Sequence, residues 1–251
     1  MPRSVAPSLT AELAARAHRI VANAALPDYL ALRTEEDHKA DVEEILSSRP
    51  PGDDLWLFAY GSLLWKPAFD HVEEVPAVAS GWHRAFCMRI RTLRGTPEQP
   101  GLMMALDRGG KCRGVAVKLS SADLETQIDR LVRREMPVKR TDGMPVHTAR
   151  WIRVQIGERS AFALSYVINR KGPSYAGRMT LAEVADVLSS SCGSAGSCAE
   201  YLYQTVTQLR ARGIHDSRLW RLQELVAERL EQMNSLDHSA ETFGDDAPRP
   251  W

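Results

Sequence analysis

Neither a surplus of one charge nor a long apolar run is present in this chain. Lys plus Arg and Asp plus Glu each number 32, so no net field draws the protein to nucleic acid, a membrane surface or an acidic partner. No stretch approaches the ~18 consecutive apolar residues that a spanning helix needs. The first residues, MPRSVAPSLTAELAARAHRIVANA, contain no uninterrupted apolar core of a secretory signal. Cysteine is scarce: Cys87, Cys112, Cys192 and Cys198 show no CxxC spacing, which excludes a zinc ribbon or a disulfide scaffold. Four reduced thiols in a cytoplasmic protein are expected, with a Cys192–Cys198 loop as the alternative in an oxidising setting. The seven histidines include no HxxxH or HExxH pair for a metal. Gly109-Gly110-Lys111 lacks the spacing of a phosphate loop. Ser62 lacks the GxSxG elbow of a hydrolase nucleophile.

What is present suits a soluble globular protein. The 251 residues are 44% hydrophobic and 25% charged, enough for a sizeable core. Apolar residues at helical spacing predict helices over 9–24 (Leu13, Ile20, Val21) and 34–46 (Val42, Ile45, Leu46). Pro50-Pro51-Gly52 ends the second helix and sets a boundary, so 1–52 reads as a helical extension with its linker. Short apolar stretches then recur at 55–60, 75–79, 84–90, 102–106, 113–119, 149–156 and 161–168, separated by Gly and Pro clusters. That texture predicts a compact, largely antiparallel sheet or barrel. Helices are expected over 121–135, 180–190, 198–212 and 216–233, making the class α+β and the main domain 53–233. The polar tail 234–251, with Pro248 and Pro250, is expected to be disordered.

Two features stand out against this background. In Leu55-Trp56-Leu57-Phe58-Ala59-Tyr60-Gly61-Ser62-Leu63-Leu64-Trp65 an apolar strand stops abruptly at Gly61-Ser62. A residue without a Cβ lets the backbone turn tightly and a ligand approach its amide, and successive N–H groups there can converge on an oxyanion. The second feature is Glu135. Leu124, Ile128, Leu131 and Val132 form an apolar stripe, and Glu135 falls on it, four residues after Leu131 and seven after Ile128. Pro137 places it in the last helical turn. Desolvation and the negative helix end both raise a carboxyl's pKa there, towards the range of a general base, with Arg133 and Arg134 able to oppose. The bland alternatives, an ordinary Gly-Ser turn and a glutamate reaching water, remain open on these grounds alone.

The ordered set Tyr60-Gly61-Ser62-Leu63, Gly81-Trp82-His83-Arg84-Ala85-Phe86-Cys87, Arg94-Gly95-Thr96-Pro97-Glu98-Gln99-Pro100-Gly101, Cys112-Arg113-Gly114-Val115-Ala116, Arg134-Glu135-Met136, Tyr201-Leu202 and Gly213-Ile214-His215-Asp216 resembles the ChaC-type γ-glutamylcyclotransferases over roughly 55–232. The resemblance implies a small mixed, largely antiparallel β-barrel with helices packed around it, and release of 5-oxoproline and cysteinylglycine from glutathione. It assigns substrate binding to Tyr60, Gly61, Ser62, Leu63 and Leu64, and the acid/base role to Glu135. Ala59 stands where many relatives have Gly, adding a methyl beside the binding turn, and Leu93 where a His often precedes Arg-Gly-Thr-Pro. Arg94 is a further candidate, for a substrate carboxylate.

The chemistry suits a sparse site. The α-amine of a γ-glutamyl compound can attack its own γ-carbonyl, so nucleophile and electrophile share one molecule. One carboxylate can take the amine's proton and deliver it to the leaving amine. No metal, nucleotide or other cofactor is required. Two alternatives stand beside this reading: the same chemistry on other γ-glutamyl amino acids or amines, and a non-catalytic interaction protein that uses the N-terminal extension. Arg89 and Arg91 read as a solvated strand face, and Tyr166, Tyr175, Tyr201 and Tyr203 as core or rim packing, with pocket lining as the alternative.

Overall fold

A computed structural model of the chain describes residues 7–22, 25–52, 54–67 and 69–242. In chain order the elements are α1 (Ala11–Arg16), β1 (Leu30–Leu32), α2 (Glu35–Ser47), β2 (Trp56–Ala59), a 3-10 turn (Ser62–Leu64), β3 (His71–Ile90) and β4 (Gly101–Leu119). A second 3-10 turn (Ser121–Asp123) leads into α3 (Leu124–Glu135) and β5 (Val138–Arg140). Then come β6 (His147–Ile156), β7 (Arg159–Ile168), α4 (Leu181–Ser190), β8 (Cys192–Gly193), β9 (Gly196–Ser197), α5 (Cys198–Ala211) and α6 (Ser217–Thr242).

Five strands close a barrel in the order β2-β4-β3-β6-β7. β2 closes it, pairing antiparallel with β4 and parallel with β7. All four residues of β2 are buried, as expected of a strand with neighbours on both edges and an apolar residue at every position. The mixed barrel with helices around it is the architecture that the sequence led us to expect.

The strands are fewer and longer than expected. The stretches 75–79 and 84–90 are one strand, β3, and 102–106 and 113–119 are one strand, β4, paired from His71↔Leu119 to Ile90↔Gly101. The Gly-containing breaks that read as turns are irregularities within this ribbon. The register slips between Ser80 and Trp82, with Gly81 at φ +83, opposite Gly109 and Gly110 at φ +104 and +71. A bulge of this kind lets a long ribbon coil around a barrel without ending it.

The N-terminal segment also departs from expectation. The helix read over 9–24 stops at Arg16, and Ile20, expected on its apolar face, is fully exposed. Arg19 explains the stop: its backbone N–H and carbonyl meet the Cys192 thiol, and its guanidinium donates to the Ser190 carbonyl, contacts that a continuing helix would not offer. Residues 23 and 24 of that predicted helix lie outside the described residues. The segment is part of the same core as the barrel. Leu9, Leu13, Val42 and Ile45 are buried in the cluster that holds β2. β1 pairs with β5, and Trp151 Nε1 donates to the Ile45 carbonyl. At the other end, α6 runs on to Thr242, so the backbone of 234–242 is helical where a disordered tail was expected, and 243–251 lie outside the described residues. All four cysteines are free and buried.

Candidate active site

The strand β2 delivers Tyr60 to the top of the barrel, and the chain turns there. Leu64 N–H donates to the Gly61 carbonyl at 3.0 Å and Lys66 N–H to the Ser62 carbonyl at 2.9 Å, closing the short helical turn. The leading amides of such a turn have no acceptor within it. The turn packs closely on α5: a Cβ on Gly61 would stand 3.1 Å from the Tyr201 hydroxyl and 3.7 Å from Met104 Sδ, so the hydroxyl would have to give way. The Tyr201 hydroxyl lies against Ser62. Its ring is wedged between Trp65 and Phe86, edge-on to both, with centroids 5.8 and 5.9 Å away. The turn is therefore backed by a fixed phenol on α5.

Tyr60 is tied down at both ends. Its hydroxyl donates to the Tyr166 carbonyl at 2.9 Å, and its own carbonyl accepts from Arg84 Nη1 at 3.2 Å. Leu63 and Leu64 are buried, so these positions offer a ligand their backbone rather than their side chains.

Glu135 is the last residue of α3, and the stripe below it, Ile128, Leu131 and Val132, is wholly buried. Its side chain is only 19% exposed. Burial raises its carboxyl above the usual glutamate range, and the Arg134 guanidinium pulls against that rise. Arg134 Nε stands 3.2 Å from Oε1. Arg133 turns the other way, to Glu35 at 2.6 Å and Asp129 at 2.7 Å. Tyr60, Tyr166 and Tyr201 are all buried, and each phenol is pushed up first by burial and further by the neighbouring Glu135 charge. The turn and the carboxylate, 70-odd residues apart in sequence, thus neighbour the same phenols: Tyr201 touches Ser62 and feels the Glu135 charge.

Beside them, buried donors are left over. The Tyr166 hydroxyl and Arg134 Nη1 have no hydrogen-bond partner. His147, edge-on to Tyr166 at 5.5 Å, is held neutral by burial, its imidazole pushed down to about 4. Unspent buried donors next to a desolvated carboxylate are what a polar ligand would satisfy.

Two further candidates are placed elsewhere. Ala59 is fully buried in β2, paired with Val115, and its carbonyl lies 2.6 Å from where a Cβ on Gly114 would stand. Its methyl is barrel packing. Arg94 stacks on the Tyr201 ring, 5.5 Å from its centroid, and its Nη1 donates to the Ser197 carbonyl at 2.5 Å and to Glu200 at 2.8 Å. Those partners tie the loop after β3 to the start of α5. Leu93, just before it, takes φ +63, and its carbonyl accepts from Ala195 N–H at 2.7 Å.

The family model for ChaC-like proteins matches residues 55–229. The chain belongs to the ChaC-like family. It is 32% identical over 220 residues to an Escherichia coli K12 protein named glutathione-specific gamma-glutamylcyclotransferase, covering 87% of this chain and 89% of that one. A Schizosaccharomyces pombe protein of the same name is 29% identical over 201 residues, covering 73% of this chain and 96% of its own. A crystal structure of a yeast gamma-glutamylcyclotransferase specific to glutathione superposes with a TM-score of 0.62 at 21% identity, covering 70% of this chain and 97% of the other. The barrel of this ChaC-like protein is therefore the barrel of γ-glutamylcyclotransferases. Tyr166 and Tyr201, read from the sequence as core or rim packing before pocket lining, are buried and also feel the Glu135 charge. For Tyr201 the Tyr201-Leu202 motif was the available signal; residue periodicity offered none for Tyr166, because the phenols arrive from β7 and α5.

Proposed function

We propose that this ChaC-like protein cyclises the γ-glutamyl group of glutathione, releasing 5-oxoproline and cysteinylglycine. One observation carries the reading: a desolvated carboxylate, Glu135, lies among three buried phenols at the turn Tyr60–Leu63. The names of the relatives in Escherichia coli and Schizosaccharomyces pombe support the choice of substrate.

The chemistry follows from the residues present. Glu135 takes a proton from the substrate's α-ammonium, and the freed amine attacks the γ-carbonyl carbon of the same molecule. A C–N bond forms and closes a five-membered lactam, and the carbonyl oxygen becomes an oxyanion. The amides at the open end of the Gly61-Ser62-Leu63 turn donate to the developing charge. Collapse breaks the original amide C–N bond as Glu135 returns its proton to the leaving nitrogen, and the surplus proton of the ring nitrogen then passes through the same carboxylate to the released amine, leaving a neutral lactam and an ammonium group. Each proton goes out and back through one carboxyl, whose raised pKa suits both tasks near neutrality. Arg134 Nη1 and the Tyr166 hydroxyl, the unspent donors, orient substrate carboxylate or carbonyl oxygens. Folding the γ-glutamyl group supplies proximity without a second reactant.

Incubation of the purified chain with glutathione, followed by mass spectrometry, tests this. 5-oxoproline and cysteinylglycine in equal amounts are expected. Free glutamate in place of 5-oxoproline would mean hydrolysis and would overturn the reading. Turnover of γ-glutamyl-alanine at a higher kcat/KM than glutathione would move the substrate to other γ-glutamyl compounds.

A further inference from the structure

A second cavity, of about 410 Å³, lies between β3 and the first turns of α4 and α6, and it includes neither Glu135 nor any residue of the Tyr60–Leu64 turn. Arg84, Arg108, Arg170, Arg178 and Arg218 line it. Two acids, Asp107 and Asp216, also line it, and both are already engaged. Asp107 accepts from Arg170 Nε at 2.5 Å, the Tyr175 hydroxyl at 2.9 Å and the Arg108 N–H at 2.8 Å. Asp216 accepts from Leu219 N–H at 3.1 Å, in the first turn of α6, and stands 3.2 Å from Arg84 Nε.

That leaves positive charge uncovered. Arg178 and Arg218 are exposed and have no acidic partner among the described residues, and Arg108 lies over the Trp82 ring at 5.6 Å rather than on a carboxylate. At the floor, Arg84 is only 2% exposed, and its Nη2 has no hydrogen-bond partner. A buried guanidinium with an unsatisfied N–H is costly unless something completes it. The start of α6, a helix of 26 residues, opens on the same space and adds its positive end. An adjoining cavity of about 360 Å³ shares Arg108 and Arg170 and adds Arg150 and Lys171, so the basic lining continues along the surface.

We propose that this groove binds a small molecule carrying two or more linked phosphoryl groups. Guanidinium forks match phosphate oxygens bidentately, and the spread of arginines over two joined cavities exceeds what a single phosphate can contact. The groove touches the cyclotransferase site only at Arg84, whose Nη1 also holds the Tyr60 carbonyl, and the test below varies only Arg178 and Arg218, which that site does not use.

The test is titration calorimetry on the full chain with pyrophosphate, tripolyphosphate, ATP and orthophosphate at constant ionic strength. Pyrophosphate and tripolyphosphate are expected to bind more tightly than orthophosphate. An Arg178→Glu/Arg218→Glu double variant should weaken them at least about tenfold, the scale of losing one hydrogen bond to a charged group. Binding of ATP but not of the inorganic chains would identify the ligand as a nucleotide within the proposed class. Both side chains are exposed, so the fold should survive, and an unchanged melting temperature without ligand checks this. The milder Arg178→Gln/Arg218→Gln pair serves if it does not. No binding at millimolar concentration, orthophosphate binding as tightly as pyrophosphate, or unchanged affinity in both double variants would overturn the proposal. So would simple competition between pyrophosphate and glutathione, which would make the cavity part of the substrate site.

Discussion

Arg134 Nε lies 3.2 Å from Oε1 of Glu135, its neighbour in the chain, where the last turn of α3 meets the phenols. Burial pushes the Glu135 carboxyl up, and this guanidinium restrains the push. The balance of the two sets the pH at which the carboxyl can accept a proton.

Replacing Arg134 by Met should remove the restraint and raise the Glu135 pKa further. The acidic limb of the kcat/KM profile should move to higher pH by about one unit, while Arg134→Lys, which keeps the charge, should move it less. Profiles of the three proteins check this. An unmoved limb in Arg134→Met would mean that Arg134 does not act through Glu135.

Stability should carry the same signature. A carboxyl whose folded pKa lies above its unfolded value holds its proton more tightly when folded. Its contribution is thus fully present below the ordinary glutamate pKa and is lost as pH rises through the folded value. Glu135→Gln, which has no charge to desolvate, should therefore match the parent in acid and become relatively more stable as pH rises through that window. Urea unfolding across pH measures the gap. A gap that shrinks with rising pH would contradict the sign.

Much of this was legible in the sequence because it depends on local pattern. The period of Ile128, Leu131 and Val132 placed Glu135 on the buried face, and the abrupt end of the Trp56–Ala59 run located the turn. Segments that borrow their partners from elsewhere were not legible. Gly81, with Gly109 and Gly110, reads as turn chemistry in isolation, yet the long β3–β4 ribbon absorbs these residues as a bulge. The helix at Ala11–Arg16 ends because Cys192 and Ser190, far along the chain, hold Arg19 extended. Tyr166 and Tyr201 come under the influence of Glu135 only when β7 and α5 bring them together.

The close approach of Tyr201 to Gly61 gives a paired test. Gly61→Ala places a Cβ about 3.1 Å from the Tyr201 hydroxyl, tighter than ordinary packing, so the hydroxyl or the turn must give way and KM should rise. Tyr201→Phe removes the hydroxyl, so the double variant should lose less than the two single losses added together. Steady-state kinetics on the four proteins measures the coupling. Strict additivity would show that the two residues do not meet.

Truncation tests how far the N-terminal segment belongs to the fold. Removing residues 1–52 would uncover the surface now packed by Leu9, Leu13, Val42 and Ile45 and would take away the α2–α3 contact secured by Glu35 and Arg133. Each large buried side chain lost is worth about 1.5–3 kcal/mol. The shortened chain should aggregate or melt far below the parent. A soluble product with an unchanged melting temperature would show the segment to be dispensable.

Turnover of glutathione by Glu135→Gln is the most direct measurement. The amide keeps the size and reach of the side chain but cannot accept the ammonium proton. General acid–base catalysis contributes about 10²–10⁴-fold, so kcat should fall by at least about two orders of magnitude, with KM changed little because the Tyr60–Leu63 turn is intact. Loss of 5-oxoproline formation on that scale, in a protein that still folds, is the predicted result. Near-normal kcat in the Gln variant would remove Glu135 from the mechanism and contradict the account.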